Sequence, residues 1–277
     1  MITNWFVRGD THGNFTWMSN GCLKDLVPDE TGIVILGDAG FNFYLNKYDD
    51  RLKKEVNARG FKIYCVRGNH EARPQDVAGY ELVYDDNVNG EVYVQPEYPN
   101  IRFFKDWGKY QLGEYTVAVI SGAYSVDKWW RLERAGVRSK LDKDYFKPKK
   151  TGWFPNEQLS TDEMVQAMHE LSGAQYDFVF THTCPYSWMP TDLFLSFIDQ
   201  STVDNSMEKW MEELKDKFDW NIWLFGHYHA DRLERPHVEM YYNDIESLDT
   251  IFYRWDHYDC TEELDWWLAK SPNFYMK

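Results

Sequence analysis

The sequence contains little cysteine and no long hydrophobic run. Its 277 residues include four cysteines, which are widely spaced and form no CxxC pair. Neither a disulfide framework nor a cysteine-ligated zinc site is therefore expected. No apolar stretch reaches the length of a transmembrane helix, and the amino terminus lacks a basic segment followed by an apolar one. We expect a cytoplasmic protein with reduced thiols and no membrane association.

Positive charge is also scarce. The chain has 30 Lys and Arg against 45 Asp and Glu, which gives a formal charge of −15. A phosphate backbone is repelled by such a field, so duplex nucleic acid is a disfavoured partner. Residues 126–152 are the exception, because they are rich in lysine and arginine. This stretch is either a solvated loop or helix face, or a basic lid or insertion over a crevice.

Internal repeats, low-complexity segments and Gly/Ser linkers are absent too. A hydrophobic fraction of 43% is enough to fill a large core. Because the motifs described next extend from residue 10 to residue 229, we predict one domain over residues 1–277. No sequence feature indicates the oligomeric state.

What the sequence does contain is an ordered set of five short motifs rich in carboxylate, amide and imidazole groups. They are Asp10-Thr-His12, Gly37-Asp38, Gly68-Asn69-His70-Glu71, Thr181-His182 and Gly226-His227-Tyr228-His229. Each motif follows a run of β-branched and aromatic residues that is typical of a buried strand. Ligands gather at the carboxyl ends of strands in open α/β sheets, so the motifs are predicted to meet in one crevice.

The donor groups in these motifs suit divalent metals. Side chains at i and i+2 of an extended segment point the same way, so Asp10 and His12 can bind one ion together. His227 and His229 have the same spacing, and Asp38 can bridge through its two oxygens. Oxygen and imidazole donors without cysteine favour Mn²⁺, Fe or Zn²⁺ over Ca²⁺ and indicate a catalytic centre. We expect two ions, most readily Mn²⁺, which can hold a bridging hydroxide and activate a phosphoryl group.

The remaining pattern predicts the elements around the motifs. A helix over residues 45–59 would connect two parallel strands as a βαβ unit. Alternating runs predict a second, partly antiparallel sheet, and closing strands follow the last motif. The runs of the second sheet are 91–94, 101–104 and 115–120, and the closing strands are 238–242 and 250–255. Ser160 and Glu163 form a capping box for one helix, an amphipathic helix follows near Met207, and a short helix starts at Thr261.

The five motifs resemble the calcineurin-like metallophosphoesterase superfamily, whose pattern of D-x-H, G-D, G-N-H-D/E, H and G-H-x-H they match in order. The resemblance implies a four-layer α/β/β/α sandwich of two mixed β-sheets flanked by helices, with a dinuclear centre at the sheet edge. It implies one ion held by Asp10, His12, Asp38 and His229, and another held by Asp38, Asn69, His182 and His227. His70 would protonate the leaving oxygen or donate a hydrogen bond to the phosphoryl group.

Two motifs look most similar to one branch of this superfamily. Gly9-Asp-Thr-His-Gly13 and Arg67-Gly-Asn-His-Glu71 resemble the branch of the Ser/Thr phosphoprotein phosphatases and the symmetrical dinucleoside tetraphosphate hydrolases. In that branch an Asp orients the catalytic histidine and an Arg binds phosphate, whereas this chain has Phe41 and Asn42 there. Those two functions must be supplied elsewhere or dispensed with.

Two arginines are candidates for binding phosphate instead. Arg73 and Arg131 are named because a guanidinium group matches two phosphate oxygens, although surface ion pairing would explain either equally well. Asp127 precedes Arg131 by four residues. Asp127 could cap a helix or pair with a nearby cation, and we favour the role of helix cap.

These observations favour a metal-dependent phosphoester hydrolase that acts on a small phosphorylated substrate. The substrate would be a phosphomonoester or a small phosphodiester, such as a nucleotide or a phosphopeptide. The alternatives are a metal-dependent nuclease and a non-catalytic, metal-stabilised binding protein. The acidic balance argues against a nuclease. The presence of His70 argues against a binding protein, which has no need of a leaving-group acid.

Overall fold

Two stacked β-sheets form the framework of the computed structural model, which describes residues 1–19, 23–194, 196 and 199–257. The first sheet contains β1 (Asn4–Arg8), β2 (Thr31–Ile35), β3 (Lys62–Cys65), β4 (Glu81–Asp85), β5 (Gly90–Val94), β6 (Ile101–Phe104) and β13 (Ile245–Ser247), in the order β13-β1-β2-β3-β6-β5-β4. The second contains β7 (Trp107–Leu112), β8 (Tyr115–Ile120), β9 (Gln175–Thr181), β10 (Asp219–Phe225), β11 (Arg232–Arg235) and β12 (Val238–Met240), in the order β11-β12-β10-β9-β8-β7. The helices of the described residues are α1 (Lys47–Asn57), α2 (Lys128–Arg134), α3 (Pro148–Thr151), α4 (Thr161–Leu171), α5 (Ser206–Leu214) and α6 (Leu248–Asp256).

The centre of each sheet is parallel. In the first sheet β1 pairs with β2 and β2 with β3, and in the second β8 pairs with β9 and β9 with β10, all in parallel. Parallel neighbours end at the same edge of a sheet. The five motifs follow β1, β2, β3, β9 and β10, as predicted, so both sheets deliver ligand side chains to their carboxyl edges.

Three hydrophobic clusters fill the spaces between the layers of sheets and helices. Val7 and Val34 of the first sheet pack with Val119, Phe180 and Leu224 of the second in the cluster between the sheets. A second cluster joins the outer face of the second sheet to α4 and α5, and a third joins the outer face of the first sheet to α1. The predicted four-layer α/β/β/α sandwich is confirmed.

Helix α4 begins as the sequence predicts. The Ser160 side chain accepts a hydrogen bond from the backbone N–H of Glu163, and the Glu163 carboxylate accepts one from the backbone N–H of Ser160. This reciprocal pair satisfies two backbone donors that the first turn of a helix leaves open. Helix α1 also forms where expected and is capped by Asn46, whose side chain accepts from the N–H of Tyr48.

Two predicted assignments are wrong. The runs 91–94 and 101–104 belong to the first sheet as β5 and β6, and of the three runs only 115–120 enters the second. Residues 250–255 lie in α6, where Leu248, Ile251 and Trp255 are buried at helical spacing. A short apolar run fits either period, so the sequence pattern alone does not separate strand from helix. The predicted helix from Thr261 lies outside the described residues.

The basic stretch 126–152 carries a small core of its own. Leu132 and Val137 pack with Tyr145 and Trp153 in a separate buried cluster. Leu132 lies in α2, and α3 lies between Tyr145 and Trp153 in the sequence. Within the described part of the chain, no helix combines the length and apolar character needed to cross a membrane.

Candidate metal centre

Four of the proposed ligand residues have a left-handed backbone conformation. The φ angles are 46° at His12, 48° at Asp38, 70° at His227 and 54° at His229. A residue with a side chain adopts this region at an energetic cost, and such residues concentrate at functional sites. The backbone of the turns after β1, β2 and β10 is therefore locally strained, and this conformation sets the direction of the four side chains.

Two motif glycines permit the close approach of the ligands. A Cβ atom on Gly37 would lie 1.9 Å from Nδ1 of His182, which comes from the other sheet. One on Gly68 would lie 2.0 Å from Oδ1 of Asp38. The first residue of each of these two motifs must therefore be glycine, because a Cβ atom would clash with a proposed ligand.

Two buried carboxylates lie among the proposed metal ligands. Asp10 and Asp38 are 2% and 1% exposed. Oδ1 of Asp10 accepts from the N–H of His227, and Oδ1 of Asp38 accepts from the N–H of His70, at 2.9 and 2.8 Å. The Oδ2 atom of each has no hydrogen-bond partner of good geometry among the residues that the structure describes. Buried carboxylate oxygens without donors suit a metal cation, so these residues fit the expected ions.

The side chains that can bind metal form two overlapping groups. The donor atoms of Asp10, His12 and His229 lie within 4.8 Å of one another, as do those of Asp10, Asp38 and His182. Nε2 of His12 is 3.0 Å from Nε2 of His229, so the two imidazoles converge. The first group contains three of the four residues predicted for one ion. In the second group Asp10 joins two residues predicted for the other ion.

Hydrogen bonds orient the ligands from His182 and Asn69. Nδ1 of His182 lies 2.8 Å from the carbonyl oxygen of Leu36 and must donate to it, because a carbonyl only accepts. This fixes Nε2 toward the centre, 2.9 Å from Oδ1 of Asn69 and 3.6 Å from Oδ2 of Asp38. In the metal-free protein Nε2 carries a proton that it can donate to Oδ1 of Asn69, and loss of that proton would leave an electron pair for a cation.

Protonation of the metal-free site differs sharply between two adjacent imidazoles. Burial opposes a charge on His182, but the carboxylates of Asp38 and Asp10 outweigh it and raise its pKa to about 9. Burial, together with the charge on His182, lowers the pKa of His227 to about 3. His182 therefore keeps a proton whose positive charge balances the carboxylates of the site. A metal ion would displace this proton.

Comparison with known proteins identifies the family of the chain. The family model described as calcineurin-like phosphoesterase matches residues 6–231. The chain belongs to the calcineurin-like phosphoesterase family. No curated protein matches the sequence. Among solved structures, the phosphopantetheinyl hydrolase of Mycobacterium tuberculosis is similar, with 13% sequence identity, a TM-score of 0.41, and coverage of 86% of this chain and 88% of that one. Family membership implies metal-dependent phosphoester hydrolysis.

His70 of this calcineurin-like phosphoesterase belongs to neither of the two groups of described residues that could hold a metal ion. Its ring centroid lies 5.7 Å from that of His12, and its Nδ1 has no hydrogen-bond partner among the described residues. Burial lowers the pKa of His70, the nearby Asp38 carboxylate opposes this, and the charge on Arg131 adds to it. His70 is therefore mainly neutral at neutral pH in the metal-free phosphoesterase.

Phe41 and Asn42 are part of the core. Phe41 is fully buried and stacks on Phe15 with ring centroids 4.9 Å apart. Asn42 is also fully buried, and its Oδ1 accepts from the hydroxyl of Tyr80. Neither side chain therefore replaces the imidazole-orienting or phosphate-binding function of the related branch.

The structure separates the two candidate arginines. Arg131 lines a cavity beside His70, and its Nε donates to Asp127 at 2.7 Å. Arg73 is 7% exposed and its guanidinium is occupied by Glu163, Asp106 and the carbonyls of residues 156 and 158. Arg73 therefore connects two loops and is not positioned as a phosphate ligand. Asp127 makes no capping hydrogen bond to α2, contrary to prediction, and pairs with Arg131 instead.

Three residues with important contacts were not recognised from the sequence. Nδ2 of Asn69 donates to Oγ of Ser125 at 2.9 Å, and that hydroxyl donates to Glu157 at 2.6 Å. Oε1 of Glu71 accepts from the N–H groups of residues 40 and 41, which fixes the turn after Asp38. Glu71 lies in a motif and could have been found there. Ser125 and Glu157 carry no comparable signal, because the fold alone brings them to Asn69.

Two cavities meet at the metal-binding cluster. One has a volume of about 920 Å³ and the other about 370 Å³. Both are lined by Asp38, His70, Asp127 and His229. The larger cavity extends past Arg131 toward α1, and the smaller one extends toward α5.

Proposed function

We propose that this phosphoesterase hydrolyses a small phosphorylated substrate with a dinuclear metal centre carried by one domain. The observation that supports this most directly is the convergence, at the edges of both sheets, of several imidazoles and two buried carboxylates. One oxygen of each carboxylate accepts no hydrogen bond of good geometry from the residues that the structure describes. Such a donor set holds divalent cations and leaves room for a substrate in the adjoining cavities.

The proposed ligand assignment follows the family pattern. Asp10, His12, Asp38 and His229 hold one ion, and Asp38, Asn69, His182 and His227 hold the other. Two overlapping groups of donor atoms support two positions, although the second group contains Asp10 in addition. Mn²⁺ is our first choice among Mn²⁺, Fe and Zn²⁺. Bound here, such ions supply Lewis-acid activation of the phosphoryl group and of water.

The protein groups beside the centre have separate roles in this proposal. His70 lines both cavities and donates a proton or a hydrogen bond to the leaving oxygen. Arg131 reaches the larger cavity and binds phosphate oxygens through its guanidinium fork. Only one Arg131 nitrogen is used by Asp127, and another donates to the carbonyl of Gly152, so donors are left for an anion.

We further propose that the substrate is a phosphodiester. A monoester has one substituent on phosphorus and needs one cavity beyond the phosphate position, whereas a diester needs two. Here cavities leave the cluster in two directions and share His70 at their junction. This arrangement accommodates one substituent on each side of a scissile phosphate.

The test is hydrolysis by metal-depleted protein reconstituted with Mn²⁺, with Fe and with Zn²⁺. We expect metal-dependent release of p-nitrophenol from bis-p-nitrophenyl phosphate, and slower release from p-nitrophenyl phosphate. Asp38→Asn serves as the control with a damaged centre. Faster cleavage of the monoester would overturn the diester assignment. No cleavage of either ester by protein shown to contain two ions would contradict the hydrolase proposal.

A further inference from the structure

The smaller cavity has mainly apolar walls. Its lining includes Tyr124, Met189, Phe194, Val203 and Tyr228, while Asn69, His70 and His227 lie at the end nearest the metal-binding cluster. The Phe194 and Tyr228 rings are inclined by only 15°, with centroids 6.4 Å apart. A volume of about 370 Å³ lies within the range of small-molecule sites and is sufficient for a ring system.

A buried carboxyl group interrupts these apolar walls. Glu208, in the first turn of α5, lines the cavity and is only 3% exposed. Its Oε1 accepts from the hydroxyl of Thr183 at 2.8 Å. Its Oε2 has no hydrogen-bond partner within the described part of the chain. A buried acceptor without a donor is energetically costly, so it is expected to have a function.

A hydrogen-bond chain fixes the position of this carboxyl group. Because the Thr183 hydroxyl donates to Glu208, the hydroxyl of Tyr228, 3.1 Å away, donates to Thr183. The chain therefore links the carboxyl group to an aromatic wall of the same cavity. It also commits Oε1 and leaves Oε2 as the atom that can receive a donor from a ligand.

We propose that the smaller cavity is a recognition subsite for a planar, largely apolar heterocycle that carries an N–H donor, attached to the phosphate held at the metal centre. The near-parallel rings and the other apolar walls pack against the faces of the heterocycle. Oε2 of Glu208 accepts the N–H. The attachment to phosphate rests on the proposed function, whereas recognition of the heterocycle does not. A nucleobase has this chemistry, because its ring is flat and its edge carries N–H groups.

Alternative occupants fit the cavity less well. A second anion would meet the Glu208 carboxyl group in a low-dielectric environment and would be repelled. Glu208 belongs to neither of the side-chain groups that could hold a metal ion among the described residues. A purely hydrocarbon group would pack against the walls but leave Oε2 without a donor.

The experiment is equilibrium dialysis of the full-length protein with free nucleosides, which carry no phosphate. Uridine is compared with 3-methyluridine, and inosine with 1-methylinosine, since each methyl group removes the ring imide N–H alone. We expect uridine or inosine to bind, and its methylated form to bind about tenfold more weakly, as expected when a buried acceptor is left without its hydrogen bond.

Three variants locate this binding. Glu208→Gln keeps the size and the acceptor for Thr183 and should weaken the preferred nucleoside about tenfold or more. Val203→Trp introduces a bulky side chain at a partly buried wall position and should block binding. Glu213→Gln makes the same charge change on the exposed face of α5 and should leave binding unchanged. Circular dichroism checks that each variant is folded.

The outcomes separate this inference from the proposed function. No nucleoside binding, equal binding of the methylated forms, or binding that neither cavity variant alters would overturn the subsite. Hydrolysis of bis-p-nitrophenyl phosphate is measured on the same samples. Hydrolysis without nucleoside binding would reject the subsite alone, and selective nucleoside binding without hydrolysis would reject the hydrolase proposal alone.

Discussion

The backbone and the side chain of His70 have separable roles. The backbone N–H donates to Oδ1 of Asp38 and remains in any substitution, whereas the imidazole lines the two cavities. We therefore expect His70→Ala to lower kcat by roughly 10²- to 10⁴-fold, the usual contribution of a general acid. Metal content should stay at the wild-type level. Steady-state kinetics and elemental analysis of the same preparation test this, and a parallel loss of metal would show that His70 is a ligand.

Arg131 and Arg73 should respond in opposite ways to replacement by alanine. Arg131→Ala should reduce kcat/KM for a phosphodiester about tenfold and change stability little, because the Arg131–Asp127 pair is partly exposed. Arg73→Ala should lower the free energy of unfolding by about 1–3 kcal/mol, because the carbonyls of residues 156 and 158 lose their donor and Glu163 loses its cation, while Asp106 keeps its ion pair with Arg67. Urea titration and steady-state kinetics distinguish them. A loss of kcat/KM at unchanged stability in Arg73→Ala would reverse our assignment.

Sequence reasoning placed the motif residues after buried strands, and the structure has them there for a physical reason. A ligand that directly follows a buried strand is carried to the sheet edge by the strand itself, as Asp10 and His182 are. The position of Arg73 depends instead on Glu163, which lies 90 residues away in the sequence. The same is true of Ser125 and its partner Asn69, 56 residues apart. Such contacts are decided by tertiary packing, which no local pattern reports.

Among the elements, the loop from β8 to α2 has a role that can be tested through Ser125. Its hydroxyl connects Nδ2 of Asn69 to Glu157 and so turns Oδ1 of Asn69 toward His182. We expect Ser125→Ala to weaken Mn²⁺ binding by roughly 10- to 100-fold, the usual effect of removing a partner of a metal ligand. Metal titration followed by calorimetry measures the change. Ser139→Ala, at an exposed position of the basic stretch, should leave affinity unchanged. Equal affinities in all three proteins would refute the positioning role of Ser125.

Whether a segment forms a helix or a strand was predictable wherever its hydrophobic residues kept the spacing of one of these two element types. Strands β1, β2, β9 and β10 and helices α1 and α4 form where the sequence places them. The sheet to which β5 and β6 belong was not predictable, because strand patterns carry no information about which neighbour a strand pairs with. Helix α6 was mistaken for a strand, although Ser247 provides a side-chain cap at its start. That cap was the available signal.

At the scale of the whole molecule, some of the many acidic side chains are buried, and burial changes their pKa. Glu208 is held in the apolar cavity, where burial raises its pKa to about 7. Glu157 behaves similarly, and burial raises its pKa to about 7 as well. Both therefore bind a proton more tightly in the folded protein than in the unfolded chain. The stability contributed by this protonation is present below pH of about 4.5 and is lost as the pH rises through about 7.

This linkage predicts how stability changes with pH in Glu208→Gln. Glutamine cannot ionise, so the variant avoids the cost that the wild-type protein incurs as Glu208 loses its proton. The free energy of unfolding of the variant, relative to wild type, should therefore rise by roughly 2.5 kcal/mol between pH 5 and pH 8. Urea titrations of both proteins at the two pH values measure this difference, with Glu213→Gln as the solvent-exposed control. A difference that stays constant with pH would mean that Glu208 is already ionised at pH 5. In that case the cavity wall would hold a full negative charge throughout, stabilised by contacts other than the hydroxyl of Thr183.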